Sequence, residues 1–314
     1  MEATMRSGSK AAVAISLGLF LAACSSVDTN TPSLVNTLAH RGSPGVVQYA
    51  CATGLLDFAT NGKAVNIYSN KTLCGQITTG ISGPRGLAVD AQGNLYVVNA
   101  KTSSITEYAP PYTSPPVATF DDSGQNPWSV AACPGFIAVT NTTAKGHGPG
   151  SVTIFRNGQK TTLSDPNALL EYFVTCDSFG NLYTQAQTSD KSFVNEFQAG
   201  TGKVIELSHI HAAGSAGLEW EDGALWVASD IQQTITVWKA PFKTPVSSMT
   251  LAHSTGDRIL SYAVSPGDTQ LLVAEDGSVS GQHVWFYNLS GQRTGQLPGS
   301  LVSYGVSYSK DDQK

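Results

Sequence analysis

Residues 86–99 read Gly-Leu-Ala-Val-Asp-Ala-Gln-Gly-Asn-Leu-Tyr-Val-Val-Asn, and the stretch Ser-Ile-Thr-Glu-Tyr follows at 104–108. Apolar and polar residues alternate on both sides of the pair Gly93-Asn94, and such a pair favours a tight turn. An alternation with a period of two puts successive side chains on opposite faces of an extended chain. The stretch therefore predicts consecutive strands of one antiparallel sheet.

The same pattern recurs along the chain. A turn glycine precedes an apolar residue by two positions in five copies, and the sixth copy, Gly267 with Leu271, has a turn that is longer by two residues. These apolar residues, 39 to 46 positions apart, are Leu56, Leu95, Ile137, Leu182, Leu225 and Leu271. An aromatic residue then ends the next strand of each copy, at Tyr68, Tyr108, Phe155, Phe197, Trp238 and Tyr287. A period of this length predicts four-stranded propeller blades.

We therefore predict an all-β fold, a six-bladed β-propeller with four-stranded antiparallel blades, over residues 45–314. The segment before Leu56 has no copy of the first strand of a blade, whereas the C-terminal region supplies one in Gly305-Val-Ser-Tyr-Ser-Lys310. This predicts that the last strand completes the first blade and leaves no open sheet edge. The alternative is a seventh, irregular blade from residues 34–50, but too few residues remain to build it.

The stretch at 86–108 resembles an NHL-type propeller blade. This resemblance implies the architecture and leaves the chemistry open, since one scaffold hosts hydrolases, lyases and adaptors alike.

The N-terminus has the features of an export signal. Arg6 and Lys10 precede an apolar run at 11–21, which ends in Leu21-Ala-Ala-Cys24 and is too short to span a bilayer. It resembles a bacterial lipoprotein signal, which implies that residues 1–23 are removed, that Cys24 is acylated and that the protein is anchored to a lipid membrane. The resemblance favours the outer membrane or the cell surface. Residues 24–44 are polar and without periodicity, and we expect them to form a flexible tether.

Charge and cysteine content agree with an exported protein. The formal net charge is −5, which argues against nucleic acid as a partner, and we expect a monomer. Besides Cys24 the chain has four cysteines, and an even number in an oxidising compartment predicts two disulfides. Three connectivities are possible. We favour Cys51–Cys74 and Cys133–Cys176, and four buried free thiols are the alternative.

Propeller topology places the candidate binding site. The starts of the innermost strands and the ends of the second strands share one rim, which usually carries the site. The candidate residues on this rim are Arg85, Trp128, Tyr172, Tyr262, Tyr304 and Asn99. Aromatic faces beside polar groups suit a sugar, a small polar ligand or a peptide end. In the simpler interpretation, the aromatic residues only plug the channel and the asparagine only caps a turn.

Two functions follow from these features. The first is a binding or protein-interaction module without catalytic residues or a cofactor. The second, alternative function is that of a metal-dependent lactonase or hydrolase, because six-bladed proteins of the regucalcin and gluconolactonase group bind a divalent cation in the channel. Resemblance to that group implies Asn141, Asp230 and Glu275 as ligands of calcium or another divalent cation, and oxygen donors of this kind suit such ions.

Overall fold

A computed structural model describes residues 51, 54–144, 148–211, 213–214, 216–252, 256–277, 281–299 and 304–310. Within these ranges the regular secondary structure consists of 24 strands, which form six four-stranded antiparallel sheets. The protein is a six-bladed β-propeller, as the repeat predicts. The predicted signal, the tether, Cys24 and the segment of the alternative seventh blade lie outside the described residues. No helix in the described part of the chain is long and apolar enough to cross a membrane.

The strands follow one another from the inner to the outer edge of each blade. Blade one contains β1 (Leu56–Thr60), β2 (Val65–Ser69) and β3 (Thr72–Ile77). Blade two contains β4 (Pro84–Val89), β5 (Leu95–Asn99), β6 (Ser104–Tyr108) and β7 (Ala118–Asp121). Blade three contains β8 (Gln125–Cys133), β9 (Phe136–Ala144), β10 (Ser151–Arg156) and β11 (Gln159–Leu163).

Blade four contains β12 (Leu170–Cys176), β13 (Leu182–Gln187), β14 (Ser192–Phe197) and β15 (Val204–Glu206). Blade five contains β16 (Leu218–Glu221), β17 (Ala224–Ser229), β18 (Thr234–Trp238) and β19 (Pro245–Thr250). Blade six contains β20 (Asp257–Val264), β21 (Gln270–Gly277), β22 (Gly281–Asn288) and β23 (Arg293–Gln296). The last strand, β24 (Val306–Tyr308), pairs with β1 and is the innermost strand of blade one.

The core lies between neighbouring blades. Every residue of β1, β5 and β17 is buried, because each of these strands is covered on both faces by the adjacent sheets. Most residues of the outermost strands β11 and β19 are exposed. The aromatic residues predicted to end the third strand of each blade fill the gaps between sheets, and Tyr68, Tyr108 and Tyr287 are almost fully buried.

The ring is closed by the C-terminal strand, which confirms the prediction. Asp57 of β1 lies opposite Tyr308, and Ala59 lies opposite Val306. The backbone N–H of Ser309 donates to the carbonyl of Leu56 at 2.8 Å, and the N–H of Leu56 donates to Ser309 Oγ at 2.7 Å. These bonds remove the free edge that β1 would otherwise expose.

Both favoured disulfides are present. Cys51 is bonded to Cys74 of β3, and Cys133 at the end of β8 is bonded to Cys176 at the end of β12. The second bond therefore joins blades three and four. Disulfides of this kind form outside the reducing cytosol, which indicates a periplasmic or extracellular environment.

Candidate functional site: the mouth of the central channel

The six innermost strands surround a central channel with a volume of about 150 Å³. Because all six strands run in the same direction along the channel, their first residues lie at one mouth.

Four of the predicted rim residues come together at this mouth. The ring of Trp128 meets the ring of Tyr172 edge to face at 5.5 Å and the ring of Tyr304 at 6.1 Å. The guanidinium of Arg85 lies over the Trp128 ring, 4.3 Å from its centroid. All four side chains are half-buried. They come from blades one to four and form a group that we call the mouth cluster: Arg85, Trp128, Tyr172 and Tyr304.

β-Bulges direct three members of the mouth cluster. The pairing register of the innermost strands shifts around Arg85, Trp128 and Tyr172, between Pro84 and Leu87, Pro127 and Ser129, and Glu171 and Phe173. A bulge leaves an extra residue out of the strand pairing and redirects its side chain. The side chains therefore leave the regular alternation of the sheet at the position where the channel opens.

Tyr262, also predicted for the rim, has a different environment. The equivalent shift in blade six lies between Ile259 and Ser261 and leaves Leu260 unpaired. Tyr262 follows two residues later and is buried in the apolar cluster that includes Ile259. Its ring fits against Gly217, where an added Cβ would lie 2.8 Å from Tyr262 Cδ1. Tyr262 thus supports the packing between blades five and six.

Asn99 supports the mouth from below. It is fully buried, and its Oδ1 accepts a hydrogen bond from the backbone N–H of Ser82 at 2.8 Å. Its Nδ2 donates to Thr106 Oγ1 at 2.9 Å. These bonds hold the loop that leads into β4, the strand that carries Arg85.

Arg85 is the charged group of the mouth cluster. Its Nη1 atom is buried and has no hydrogen-bond partner. Among the described residues, no carboxylate forms an ion pair with it. Burial lowers the pKa of its guanidinium, but a guanidinium stays charged in proteins. A guanidinium that is charged and has an unpaired N–H can bind an anion that enters between the aromatic rings of the mouth cluster.

The residues of the alternative metal site have separate partners. Asn141 Nδ2 donates to Thr153 Oγ1 at 3.0 Å in blade three. Asp230 Oδ2 accepts from Arg258 Nε at 2.9 Å. Glu275 accepts from Tyr287 and from Arg293. Both carboxylates are thus already neutralised by arginines. Over the described ranges, no cluster of three or more His, Cys, Asp or Glu side chains could hold a metal ion.

The channel also contains acidic and hydroxyl groups that the sequence pattern did not reveal. Glu219 borders the channel, and its Oε2 accepts from the N–H of Val264 at 2.7 Å. Burial raises the pKa of this carboxyl to about 8. The hydroxyls of Ser261, Tyr262 and Tyr308 are buried without a hydrogen-bond partner. The alternating sequence of β16 predicts a strand, but it does not show that the Glu219 side chain borders the channel.

Comparisons with known proteins identify the fold. No model of a known protein family matches the sequence, and no curated protein matches it. A chain of the nidogen/laminin complex is similar, with a TM-score of 0.66 and 15% identity over 83% of this chain and 99% of that chain. A protein of unknown function from Bacteroides caccae has a TM-score of 0.63 and 11% identity, over 82% and 100% of the two chains.

A third similar structure is that of a streptogramin B lyase, with a TM-score of 0.51 and 12% identity over 82% of this chain and 93% of that one. At these identities the likeness concerns the fold alone. The resemblance to NHL repeats therefore stays a matter of architecture, and the chemistry has to be argued from the side chains at the mouth.

We predict that the unfolding temperature falls as the pH rises. Burial raises the pKa of Asp57 to about 7, and it raises the pKa values of Glu171 and Glu219 to about 8. In the folded chain each carboxyl therefore keeps a proton that the unfolded chain releases near pH 4. This stabilisation is complete below about pH 4 and is lost as the pH rises through 7 and 8.

Thermal unfolding in EDTA between pH 5 and pH 8.5 measures this effect. Asp57→Asn is expected to raise the Tm at pH 8.5 by several degrees and by clearly less at pH 5, since about 1.4 kcal/mol corresponds to each unit of pKa shift and the penalty grows from the unfolded pKa up to the folded one. Glu206→Gln is the control, because this exposed carboxylate is paired only with Lys191 at the surface. An equal effect of Asp57→Asn at both pH values would contradict the assignment.

Proposed function

We propose that the protein is an exported, membrane-anchored binding module that holds a carboxylate-bearing ligand at the mouth cluster. In this proposal the lipid on Cys24 and the tether of residues 24–44 keep the propeller at a membrane surface, anchored in the outer membrane or at the cell surface. The ligand is a small molecule or the end of another chain rather than a substrate. Partitioning of the full chain and of its Cys24→Ser variant between membrane and soluble fractions tests the anchor.

The arrangement around Trp128 is the observation that carries this proposal. Two tyrosine rings lie edge-on to it and one guanidinium lies on its face. Aromatic faces and edges provide apolar contact area with little side-chain freedom to lose. The bulges that orient these residues belong to the sheet framework, so the group is preorganised and a ligand does not have to order a loop.

The state of Arg85 selects the chemical class of the ligand. Its buried Nη1 atom has no partner, and a buried donor without an acceptor costs free energy that a ligand can recover. A carboxylate matches the planar fork of a guanidinium with two parallel hydrogen bonds. Two sources offer such a group on a ring or chain of suitable size: an acidic sugar and the free carboxyl terminus of a peptide.

The similar structures are compatible with binding and do not decide between binding and catalysis. One is a chain of a protein complex, and another is a lyase. The channel mouth favours binding because the described acidic side chains proposed for a metal are neutralised by arginines elsewhere. The mouth cluster itself contributes a cation and three rings, which recognise a ligand without activating it.

Tryptophan fluorescence tests the proposal with paired probes that differ in one charge. Glucuronic acid is compared with glucose, and a tripeptide with a free carboxyl terminus is compared with its amide. We expect one acidic probe to bind at least tenfold more tightly than its neutral partner, since a hydrogen bond to a charged group contributes about 1.5–3 kcal/mol. The pair that discriminates identifies the source of the carboxylate.

Arg85→Gln is expected to abolish that discrimination and to leave the fold unchanged. Arg156→Gln is the matched control, because Arg156 also covers an aromatic ring, that of Phe136 at 4.4 Å, but lies at a strand end outside the mouth cluster. If Arg85→Gln binds the acidic probes as tightly as the unmodified protein, or if neither acidic probe binds better than its neutral partner, the proposal fails.

A further inference from the structure

Several buried polar side chains lie between blades three and four, and one of them, Glu171, directly precedes Tyr172 of the mouth cluster. Glu171 of β12 pairs with Ala186 of β13, and Thr184 of β13 pairs with Asn195 of β14. Because paired residues and residues two positions apart share one face of a sheet, Glu171, Thr184 and Asn195 point to the same face of blade four. All three side chains are fully buried. We call them the blade-four oxygen cluster.

The oxygen atoms of this cluster form no well-aligned hydrogen bond, and the Thr184 hydroxyl interacts only weakly with Glu171. Both carboxyl oxygens of Glu171, the hydroxyl of Thr184 and the amide oxygen of Asn195 are buried and lack such a bond. Nearly all buried polar groups in folded proteins are hydrogen-bonded, since a polar group left without a partner costs about 1–3 kcal/mol. Four such oxygen atoms on one face therefore indicate that a ligand which binds oxygen atoms, such as a cation, completes this cluster.

Asp165 adds charge and orients the amide. Asn195 Nδ2 donates to Asp165 Oδ2 at 2.9 Å, so the amide oxygen of Asn195 is the atom that remains for a ligand. Asp165 Oδ1 accepts from the backbone N–H of Asn167 at 2.9 Å. Burial and, less strongly, the negative charge of Asp165 raise the pKa of the Glu171 carboxyl to about 8, although the Thr184 hydroxyl acts in the opposite direction.

The cluster is closed on the side of blade three. The N–H of Gly150 donates to the carbonyl of Leu169 at 2.8 Å. A Cβ added at Gly150 would lie 2.3 Å from the backbone nitrogen of Glu171 and 3.0 Å from its Cγ. Only a glycine permits this approach of the two backbones, which shields Glu171 from solvent.

We propose that the blade-four oxygen cluster binds one divalent cation of the calcium type. Glu171 supplies two carboxyl oxygens, Thr184 a hydroxyl and Asn195 an amide oxygen. Asp165 contributes a second negative charge without contacting the ion, because it holds the amide of Asn195. An all-oxygen donor set with a bidentate carboxylate is typical of calcium, whereas magnesium keeps several waters and demands octahedral geometry. The site holds the inner and middle strands of blade four together and has a structural role.

The proposed site adjoins the mouth cluster along the chain, because Glu171 directly precedes Tyr172 in β12. Its oxygen atoms, however, come from side chains outside the mouth cluster. The response to calcium can therefore be measured separately from the binding of a ligand at the mouth.

Thermal unfolding of the full chain at pH 8, in 1 mM CaCl₂ or in EDTA at equal ionic strength, tests the site. A ligand that binds only the folded state raises the Tm, and we expect a rise of about 5 °C or more with calcium. Equilibrium dialysis should give one calcium ion per chain. Glu171→Gln is expected to remove the calcium response while raising the Tm in EDTA, because the buried charge is gone.

Three further variants distinguish the proposed site from other carboxyl groups of the protein. Glu219→Gln removes another buried carboxyl with a raised pKa and should retain the full response, as should Asp230→Asn from the alternative metal site. Asp165→Asn removes the charge and one of the two acceptor oxygens of Asp165, and it should weaken calcium binding about 10- to 100-fold. Equal Tm values in calcium and EDTA, a response to sodium but not to calcium, or a response that survives Glu171→Gln would overturn the proposal.

Discussion

A chain that ends at Tyr304 is expected to lose the cooperative unfolding transition of the whole propeller. The deletion removes β24, whose Val306 and Tyr308 are 4% exposed and pack in a cluster with Ala59, Phe286 and other side chains of blades one and six. Burying one such side chain contributes about 1.5–3 kcal/mol. The loss approaches the total stability of a typical domain, about 5–15 kcal/mol.

The backbone contributes to the same effect. Without β24, the fully buried strand β1 (Leu56–Thr60) loses its partner on the inner side, and the N–H of Thr60 loses the carbonyl of Gly305, which it meets at 3.0 Å. Unpaired backbone groups at a buried edge are costly and also template aggregation. We therefore expect the truncated chain to be aggregated or to melt without a sharp transition.

Calorimetry of the truncated chain measures this, and a shorter deletion provides the control. Removing only residues 311–314 keeps all the contacts described for β24 and should leave the Tm within about 2 °C. Gly305→Ala gives an intermediate test, since an added Cβ would lie 2.0 Å from the carbonyl oxygen of Arg85. A truncated chain with the melting profile of the full protein would disprove closure by the C-terminal strand.

The double substitution Cys133→Ser and Cys176→Ser is expected to lower the Tm by about 10 °C. The bond closes a loop with a sequence separation of 43 residues, and constraining a loop of that length in the unfolded chain is worth about 4 kcal/mol. About 2–4 °C of Tm corresponds to each kcal/mol for a domain of this size. The bond also ties the ends of β8 and β12 together where blades three and four meet at the channel.

Removal of the other disulfide is the comparison for this prediction. Cys51→Ser with Cys74→Ser opens a loop with a separation of 23 residues, which is worth about 3 kcal/mol on the same basis. That bond ties the chain before β1 to the outer strand β3 and joins no two blades. An unchanged Tm after loss of the Cys133–Cys176 bond, with thiol titration showing that it was formed in the unmodified protein, would contradict the prediction.

Much of the fold was predictable because its signals are local. The turn at Gly93-Asn94 and its counterparts in blades three to six mark where each inner strand turns back, and Leu56, Leu95, Ile137, Leu182, Leu225 and Leu271 all lie in second strands. The period between these residues predicts the number of blades, and the missing first strand before Leu56 predicts closure from the C-terminus. The cysteine pairing was one choice of three, and the structure selects it.

The candidate site was predictable only in part. The topology places Arg85, Trp128, Tyr172 and Tyr304 at one mouth, and they are found together there. A strict strand count also places Tyr262 on the rim, but the bulge in blade six leaves Leu260 at that position and Tyr262 between two blades. A bulge depends on the pairing of two strands over several residues, and the alternation of one strand does not reveal it.

The sequence by itself determined the all-β class, the six repeats and the strand that closes the ring, because each follows from spacing and alternation along the chain. Only the tertiary structure decided which polar residues are paired and which are isolated. Asp230 and Glu275 are neutralised by arginines distant in sequence, whereas Glu171 is buried without a well-aligned hydrogen bond. The reason is that such contacts form only when strands align within a blade, as for Glu275 and Arg293, or when neighbouring blades pack, as for Asp230 and Arg258.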